Sequence, residues 1–74
     1  MIDIKDLRFI DALYEHKTFT RAARALQIPQ PVLSRHLMQL ELKLGRQLFI
    51  RRRSGSVPTD MGRIIIGKGR AILS

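Results

Sequence analysis

Gln30 and Arg35, with Ser34 beside them, are the residues of this chain best equipped for hydrogen-bond chemistry with a flat polar partner. An arginine fork can donate to O6 and N7 of guanine, and a side-chain amide can pair with N6 and N7 of adenine. The same stretch carries Leu33, Leu37, Leu40 and Leu44 at helical spacing, which defines a face for burial. At about 100° per residue, Arg35, Met38, Gln39 and Leu42 then turn outward, with Ser34 at the flank. Pro31 and Val32 are candidates for contact with a thymine methyl, although Pro31 serves equally as a helix starter. His36 and Gln39 are secondary candidates for base-edge contacts. A helix with an apolar inner face and an edge-reading outer face is suited to a DNA major groove.

Two further groups carry chemistry suited to a polyanion. Thr18, Thr20 and Arg21 sit where a helix would begin, and free backbone N–H groups with positive charge there favour a phosphate. Thr18 is also a plausible N-cap, and the two roles are compatible. Arg51, Arg52, Arg53 and Ser54 form the densest run of positive charge. One arginine in a narrow minor groove, with its neighbours on phosphates, fits a projecting hairpin. Arg53 is favoured for the groove because it lies nearest the turn.

The elements needed to position these groups are legible in outline. A first helix is expected from about Ile4 to His16, with Leu7, Ile10, Leu13 and Tyr14 as its apolar stripe and Phe9 at the edge. A second runs from Phe19 to Leu26, its small Ala22 and Ala23 allowing close approach of a neighbour. The turn Gln27–Gln30 leads to a third helix, Pro31 to Leu44, with Pro31 at the first position and Gly45 ending it in a left-handed conformation. Leu48-Phe49-Ile50 and Val57 suggest two short strands around a Ser-Gly turn, with Pro58 at the edge. Thr59 caps a final helix, Asp60 to Ser74, whose side formed by Met61, Ile64, Ile65, Ile72 and Leu73 is apolar. Gly67 and Gly69 interrupt that helix, so either another backbone approaches closely there or the helix is weak. The fold class is therefore mainly α: a winged helix-turn-helix with a three-helix core, a short β-hairpin wing and a C-terminal linker helix. Leu33, Leu37, Leu40, Leu44, Leu48 and Phe49 are its expected core.

Composition narrows the function further. Seventy-four residues allow one domain, and 45% apolar residues suffice for a compact core. The net charge is +8, but it is unevenly spread. Residues 1–15 hold four acids against Lys5 and Arg8, whereas residues 16–74 hold twelve Lys and Arg against only Glu41 and Asp60. One strongly positive surface follows. There is no cysteine, and the two histidines have no accompanying ligand set, so neither a disulfide nor a metal site is expected. No nucleophile–base pair or Gly-rich phosphate loop is present, so catalytic residues, cofactors and an enzymatic role are not expected. The few aromatics read as buried, leaving no stacking platform for single-stranded RNA. No apolar run approaches a membrane span, and the amino terminus lacks a secretory pattern, so a cytoplasmic location is expected.

At this point the residues resemble a known family. Leu7-Arg8-Phe9, Thr18-Phe19-Thr20-Arg21-Ala22-Ala23 and Gln30-Pro31-Val32-Leu33-Ser34-Arg35 are followed by Leu40-Glu41, Leu44-Gly45, Leu48-Phe49, Arg51, Pro58-Thr59, Gly62 and Ile72-Leu73. In that order and spacing they are similar to the amino-terminal DNA-binding domain of LysR-type transcriptional regulators. The resemblance implies a bacterial regulator that binds double-stranded DNA as a homodimer or tetramer. It further implies that residues 1–58 form the DNA-binding domain and residues 59–74 the start of a linker helix that pairs protomers. Met61, Ile64, Ile65 and Ile72 are the expected pairing residues, and an effector would act only through a C-terminal domain outside this chain. Three positions depart from the family pattern: Pro29 where a capping Ser or Thr is usual, Leu42 on the outward face, and Gly69 where Ala is commoner. The competing expectation is a dimerisation module with mainly non-specific nucleic-acid binding.

Overall fold

The computed structural model describes residues 2–73, the side chain of Leu73 excepted. The element order is α1 (Ile4–His16), α2 (Phe19–Leu26), α3 (Gln30–Leu44), β1 (Phe49–Arg52), β2 (Gly55–Pro58) and α4 (Asp60–Leu73). This is the expected winged helix-turn-helix. The expected last helical residue, Ser74, lies outside the described residues.

Local sequence chemistry starts and stops each helix. Asp3 caps α1 through a reciprocal box: its carboxylate accepts from the Asp6 N–H at 2.8 Å, and that of Asp6 accepts from the Asp3 N–H at 3.0 Å. Thr18 Oγ1 accepts from the Arg21 N–H at 3.1 Å and caps α2. The helix-turn-helix bend rests on Gln27, in the left-handed region at φ 59°, and on an Ile28 N–H to Ala23 carbonyl bond of 3.0 Å. α3 begins at Gln30, one residue before the position expected from Pro31, with Pro29 as a cap that supplies no side-chain bond. Pro31 still occupies one of the positions whose N–H has no helical partner, so nothing is lost by the shift. Gly45 ends α3 at φ 69°, as expected.

The three helices enclose one core. Ile10, Leu13, Leu33 and Leu48 are its most completely buried side chains, joined by Leu37, Leu40, Phe19, Phe49, Ala22 and Ala23. Tyr14, expected in the inner stripe, is instead exposed beneath the Arg70 guanidinium, 5.0 Å from ring centre to Cζ. α4 joins this same core through Ile65 and Ile66 rather than standing apart from residues 1–58. Its far half is held to α1 by Arg70, which donates to Asp11 at 2.7 Å and lies 3.6 Å from Glu15. Gly69 explains one of the two interruptions: a Cβ there would come within 3.0 Å of the Leu7 side chain, so the helices touch at this point. Gly67 faces open space.

The wing is a two-stranded antiparallel sheet in which Phe49 pairs with Pro58, Ile50 with Val57, Arg51 with Ser56 and Arg52 with Gly55. Its turn is Arg53-Ser54, one residue earlier than the expected Ser-Gly turn. The glycine is needed for a different reason. Gly55 sits at φ 134°, and a Cβ would lie 3.0 Å from the Lys17 carbonyl oxygen. Lys17 is the left-handed C-cap of α1, and its carbonyl accepts the Ser56 N–H at 2.5 Å. The wing therefore leans on the end of α1.

Candidate nucleic-acid interface

The outer side of α3 and the base of the wing form one open, groove-like surface. It is lined by Gln30, Pro31, Ser34, Arg35 and Met38 from α3, by Arg51 and Gln47 from the wing and its approach, and by Phe19 from α2. Helical phase explains the selection: with Leu33, Leu37 and Leu40 buried, Arg35 and Met38 point away from the core, and Gln30 and Ser34 sit on the flank beside β1. Ser34 Oγ accepts two bonds, from Gln30 Nε2 at 2.7 Å and from Arg51 Nη2 at 2.8 Å. The Arg51 guanidinium lies over Phe19, with its Cζ 3.7 Å from the ring centroid. Arg52, Arg53 and Ser54 project beyond this point at the tip, all exposed.

The acids of the chain are consumed in holding the fold. Asp3 and Asp6 form the α1 cap, Asp11 and Glu15 face Arg70, and Asp60 pairs with Arg63 at 3.1 Å. Glu41 reaches the segment before the wing, accepting from the N–H groups of Leu48 at 2.6 Å and Phe49 at 3.3 Å. Among the described residues, Arg21, Arg35, Arg52 and Arg53 have no carboxylate within ion-pair distance. These four guanidinium groups keep their full charge, while Glu41, spent on the Leu48 and Phe49 N–H groups, is the acid that lines the groove.

Four sequence expectations need revision or refinement. His36 does not face the groove. It lies on the α1 side of α3, where Nε2 meets the Asp6 carboxylate at 2.5 Å and the ring packs on Phe9 with centroids 4.5 Å apart. One residue past Arg35 is a rotation of about 100°, enough to carry a side chain from the outer face to a neighbouring helix. Ile65 is also misplaced as a pairing residue: it is only 8% exposed, and Met61 packs against the same core. Ile64 and Ile72, at 51% and 65%, are the members of that set left outside. Arg51 lies one pair short of the wing turn, yet its side chain turns back to Ser34 and Phe19 rather than outward with Arg52 and Arg53. Thr18 is engaged as a cap, while Thr20 and Arg21 are exposed beside it.

Three residues with clear roles were not singled out as site residues from the sequence: Phe19 as the platform for Arg51, Glu41 as the anchor of the wing approach, and Lys17 as the acceptor for the wing. Only Glu41 left a visible trace, as an acid one step off the leucine face.

The Asp6–His36 pair makes stability pH-dependent with a definite sign. Burial pushes the Asp6 carboxyl upward, but the Asp3 N–H, the His36 ring and the charge of Lys43 outweigh it and hold the group below its ordinary value. A carboxyl lowered in the folded state stabilises fully above its unfolded value, about 3.9, and that contribution disappears as pH falls through the folded value. In urea titrations, wild type and Asp6→Asn should therefore keep their full difference above about pH 5 and converge as pH falls below about 4. A gap that stays constant down to about pH 2.5 would contradict this account.

The fold and this surface together define a winged helix-turn-helix domain of the DNA-binding class. The family model for bacterial regulatory helix-turn-helix proteins of the lysR family matches residues 4–63, and the chain belongs to that family. It is 44% identical over 71 residues to the HTH-type transcriptional regulator XapR of Escherichia coli, covering 96% of this chain and 24% of that protein. It is 38% identical over 73 residues to the small neutral protease regulatory protein of Streptomyces coelicolor, covering 99% of this chain and 22% of the relative. The chain thus spans under a quarter of the length of these curated relatives. Among solved structures, the BenM DNA-binding domain in complex with catB site 1 DNA matches with a TM-score of 0.91 and 35% identity, over 97% of this chain and 81% of that one. Among the described residues, no helix is long and apolar enough to cross a membrane.

Proposed function

We propose that this chain binds double-stranded DNA sequence-specifically as the DNA-reading part of a bacterial transcriptional regulator. The amino-terminal half of α3 enters the major groove, and the wing tip reaches the adjacent minor groove. Gln30, Pro31, Val32, Ser34, Arg35 and Gln39 face base edges; Thr18, Thr20 and Arg21 meet the phosphate backbone; Arg52, Arg53 and Ser54 lie in or beside the minor groove. His36 is left out of this set because Asp6 already holds it. The observation that carries the reading is one continuous exposed surface joining Arg35 to the wing, with no carboxylate paired to its outward arginines.

The protein acts as a homodimer on an interrupted AT-rich palindrome, in the cytoplasm at the nucleoid. The outward side of α4, with Ile64 and Ile72, serves the pairing of protomers, since Ile65 is occupied inside the core. Residues 59–74 belong to the linker helix in this reading, although their first turns also complete the core of residues 1–58. Related DNA-binding domains solved with DNA, such as that of BenM with catB site 1 DNA, support DNA as the ligand class.

The test begins with selection of a preferred duplex from a randomised library. Fluorescence anisotropy then compares that duplex with a scrambled one across a salt series, for wild type and Arg35→Ala. Wild type should prefer the selected duplex, and Arg35→Ala should lose about 1–3 kcal/mol of that preference. Its salt slope should stay close to the wild-type value, because a base contact releases few counterions. If wild type binds both duplexes alike, the surface only grips phosphates and the alternative of a dimerisation module with non-specific binding takes over.

A further inference from the structure

Arg51 differs from its two neighbours in being held by contacts within the domain, although it stays exposed. Its guanidinium lies on Phe19, a buried residue of α2, and donates to Ser34 Oγ on α3. Its own strand position is fixed as well, because its ladder partner Ser56 donates its N–H to the Lys17 carbonyl. One side chain thus ties α2, α3 and the wing together at the edge of the reading surface.

The hydrogen-bond arithmetic at Ser34 has a consequence for recognition. A serine hydroxyl has one proton to donate and two lone pairs that accept. Gln30 Nε2 and Arg51 Nη2 occupy both lone pairs. Ser34 is then left as a donor only. It can meet a purine N7, a guanine O6, a thymine O4 or a phosphate oxygen, and it cannot accept from adenine N6 or cytosine N4. The same bond holds the Gln30 amide with one N–H engaged, leaving its carbonyl oxygen and its second N–H for a base. Arginine suits this post because its planar fork can cover an aromatic ring and donate to Ser34 at once, whereas a lysine ammonium is a compact point charge with no plane to share between the two.

We propose that Arg51 is a specificity-positioning residue of the DNA-reading surface: from its seat on Phe19 it polarises Ser34 into a donor and holds Gln30 in its reading pose, and it is not itself a phosphate or minor-groove ligand. This rests on the DNA-reading function proposed above. It separates Arg51 from Arg52 and Arg53, which sequence alone presents as one run.

The experiment uses the selected and scrambled duplexes with wild type, Arg51→Lys, Arg51→Ala, Ser34→Ala and the double variant Arg51→Lys/Ser34→Ala, each checked for folding by thermal melting. Arg51→Lys keeps the charge, so its salt slope should stay at the wild-type value while its preference for the selected duplex falls roughly tenfold. The double variant should lose no more preference than the more severe single variant, because both changes break one linked unit. Arg51→Ala should match Arg51→Lys in preference, with a slope still close to wild type. The proposal is overturned if Arg51→Lys keeps full preference, or if Arg51→Ala lowers the slope by about one unit as a lost phosphate contact would. Additive losses in the double variant would overturn it too. Equal binding of both duplexes by wild type would instead remove the DNA-reading function on which it stands.

Discussion

Gly62→Ala is expected to cost this domain about 3 kcal/mol, toward the upper end for overpacking, and to lower its melting temperature by roughly 10–20 °C. A Cβ on residue 62 would lie 2.2 Å from the Leu48 carbonyl oxygen, 3.2 Å from its carbon and 3.4 Å from Pro58 Cβ. The obstacle is backbone, and that backbone is held. The Leu48 carbonyl accepts the Thr59 N–H at 3.0 Å, and Thr59 Oγ1 donates to the Gln47 carbonyl at 2.7 Å while capping the Gly62 N–H at 3.1 Å. Moving α4 away to make room would break this lacing and withdraw Ile65 and Ile66 from the core. Gly67→Ala in the same helix supplies the control. Nothing lies within 4 Å of its added methyl, so only helix propensity acts, and that change should stabilise by up to about 1 kcal/mol. Thermal melts of the two variants should move in opposite directions. A melt of Gly62→Ala at or above wild type would show that α4 does not approach the wing as closely as described.

The second large effect falls on the opposite side of the same segment. Glu41→Ala should destabilise by about 2–3 kcal/mol, because charge-assisted hydrogen bonds are among the stronger ones and two N–H donors lose their acceptor together. Leu48, one of those donors, is 0% exposed, so water does not readily replace the carboxylate. Glu41→Gln keeps an oxygen in place without the charge and should cost about half as much. Amide hydrogen exchange localises the effect: the Leu48 and Phe49 amides should lose protection in Glu41→Ala ahead of those in α1. Uniform exchange changes along the chain, with no local acceleration at these two amides, would assign the loss to global stability instead. Through these two clamps, Glu41 from α3 and Thr59 with Gly62 from α4, the wing is held in a fixed relation to the reading helix. For the proposed DNA-reading role the relation matters because it brings Arg51 to Ser34 and makes the wing tip project from a defined point.

The sequence by itself determined the elements and the kind of surface they carry. Helical periodicity in Leu33–Leu44, caps at Thr18 and Thr59, the stop at Gly45 and the placement of arginines between two short strands are all written within windows of a few residues. Backbone conformation is largely a local matter, so such windows suffice. They also place Arg35 outward once the leucines are inward. The family pattern is similarly local, a set of side chains in fixed order.

Tertiary structure decided which face of each element meets which neighbour. The three consecutive isoleucines at 64–66 offer no polar contrast to choose among them; the close approaches at Gly62 and Gly69 set the rotation of α4, which sends Ile65 and Ile66 inward and Ile64 outward. His36 lies next to an outward arginine in sequence, yet the α1–α3 packing brings it to Asp6, thirty residues away. Arg51, Arg52 and Arg53 are chemically identical in the sequence and differ only because β1 delivers the first of them onto Phe19 and Ser34. Gly55 reads as a turn glycine, and its need arises from the Lys17 carbonyl of a distant helix. In each case the deciding term is a contact between elements far apart in the chain, fixed by the relative rotation and distance that the whole core imposes, and no short window contains that information.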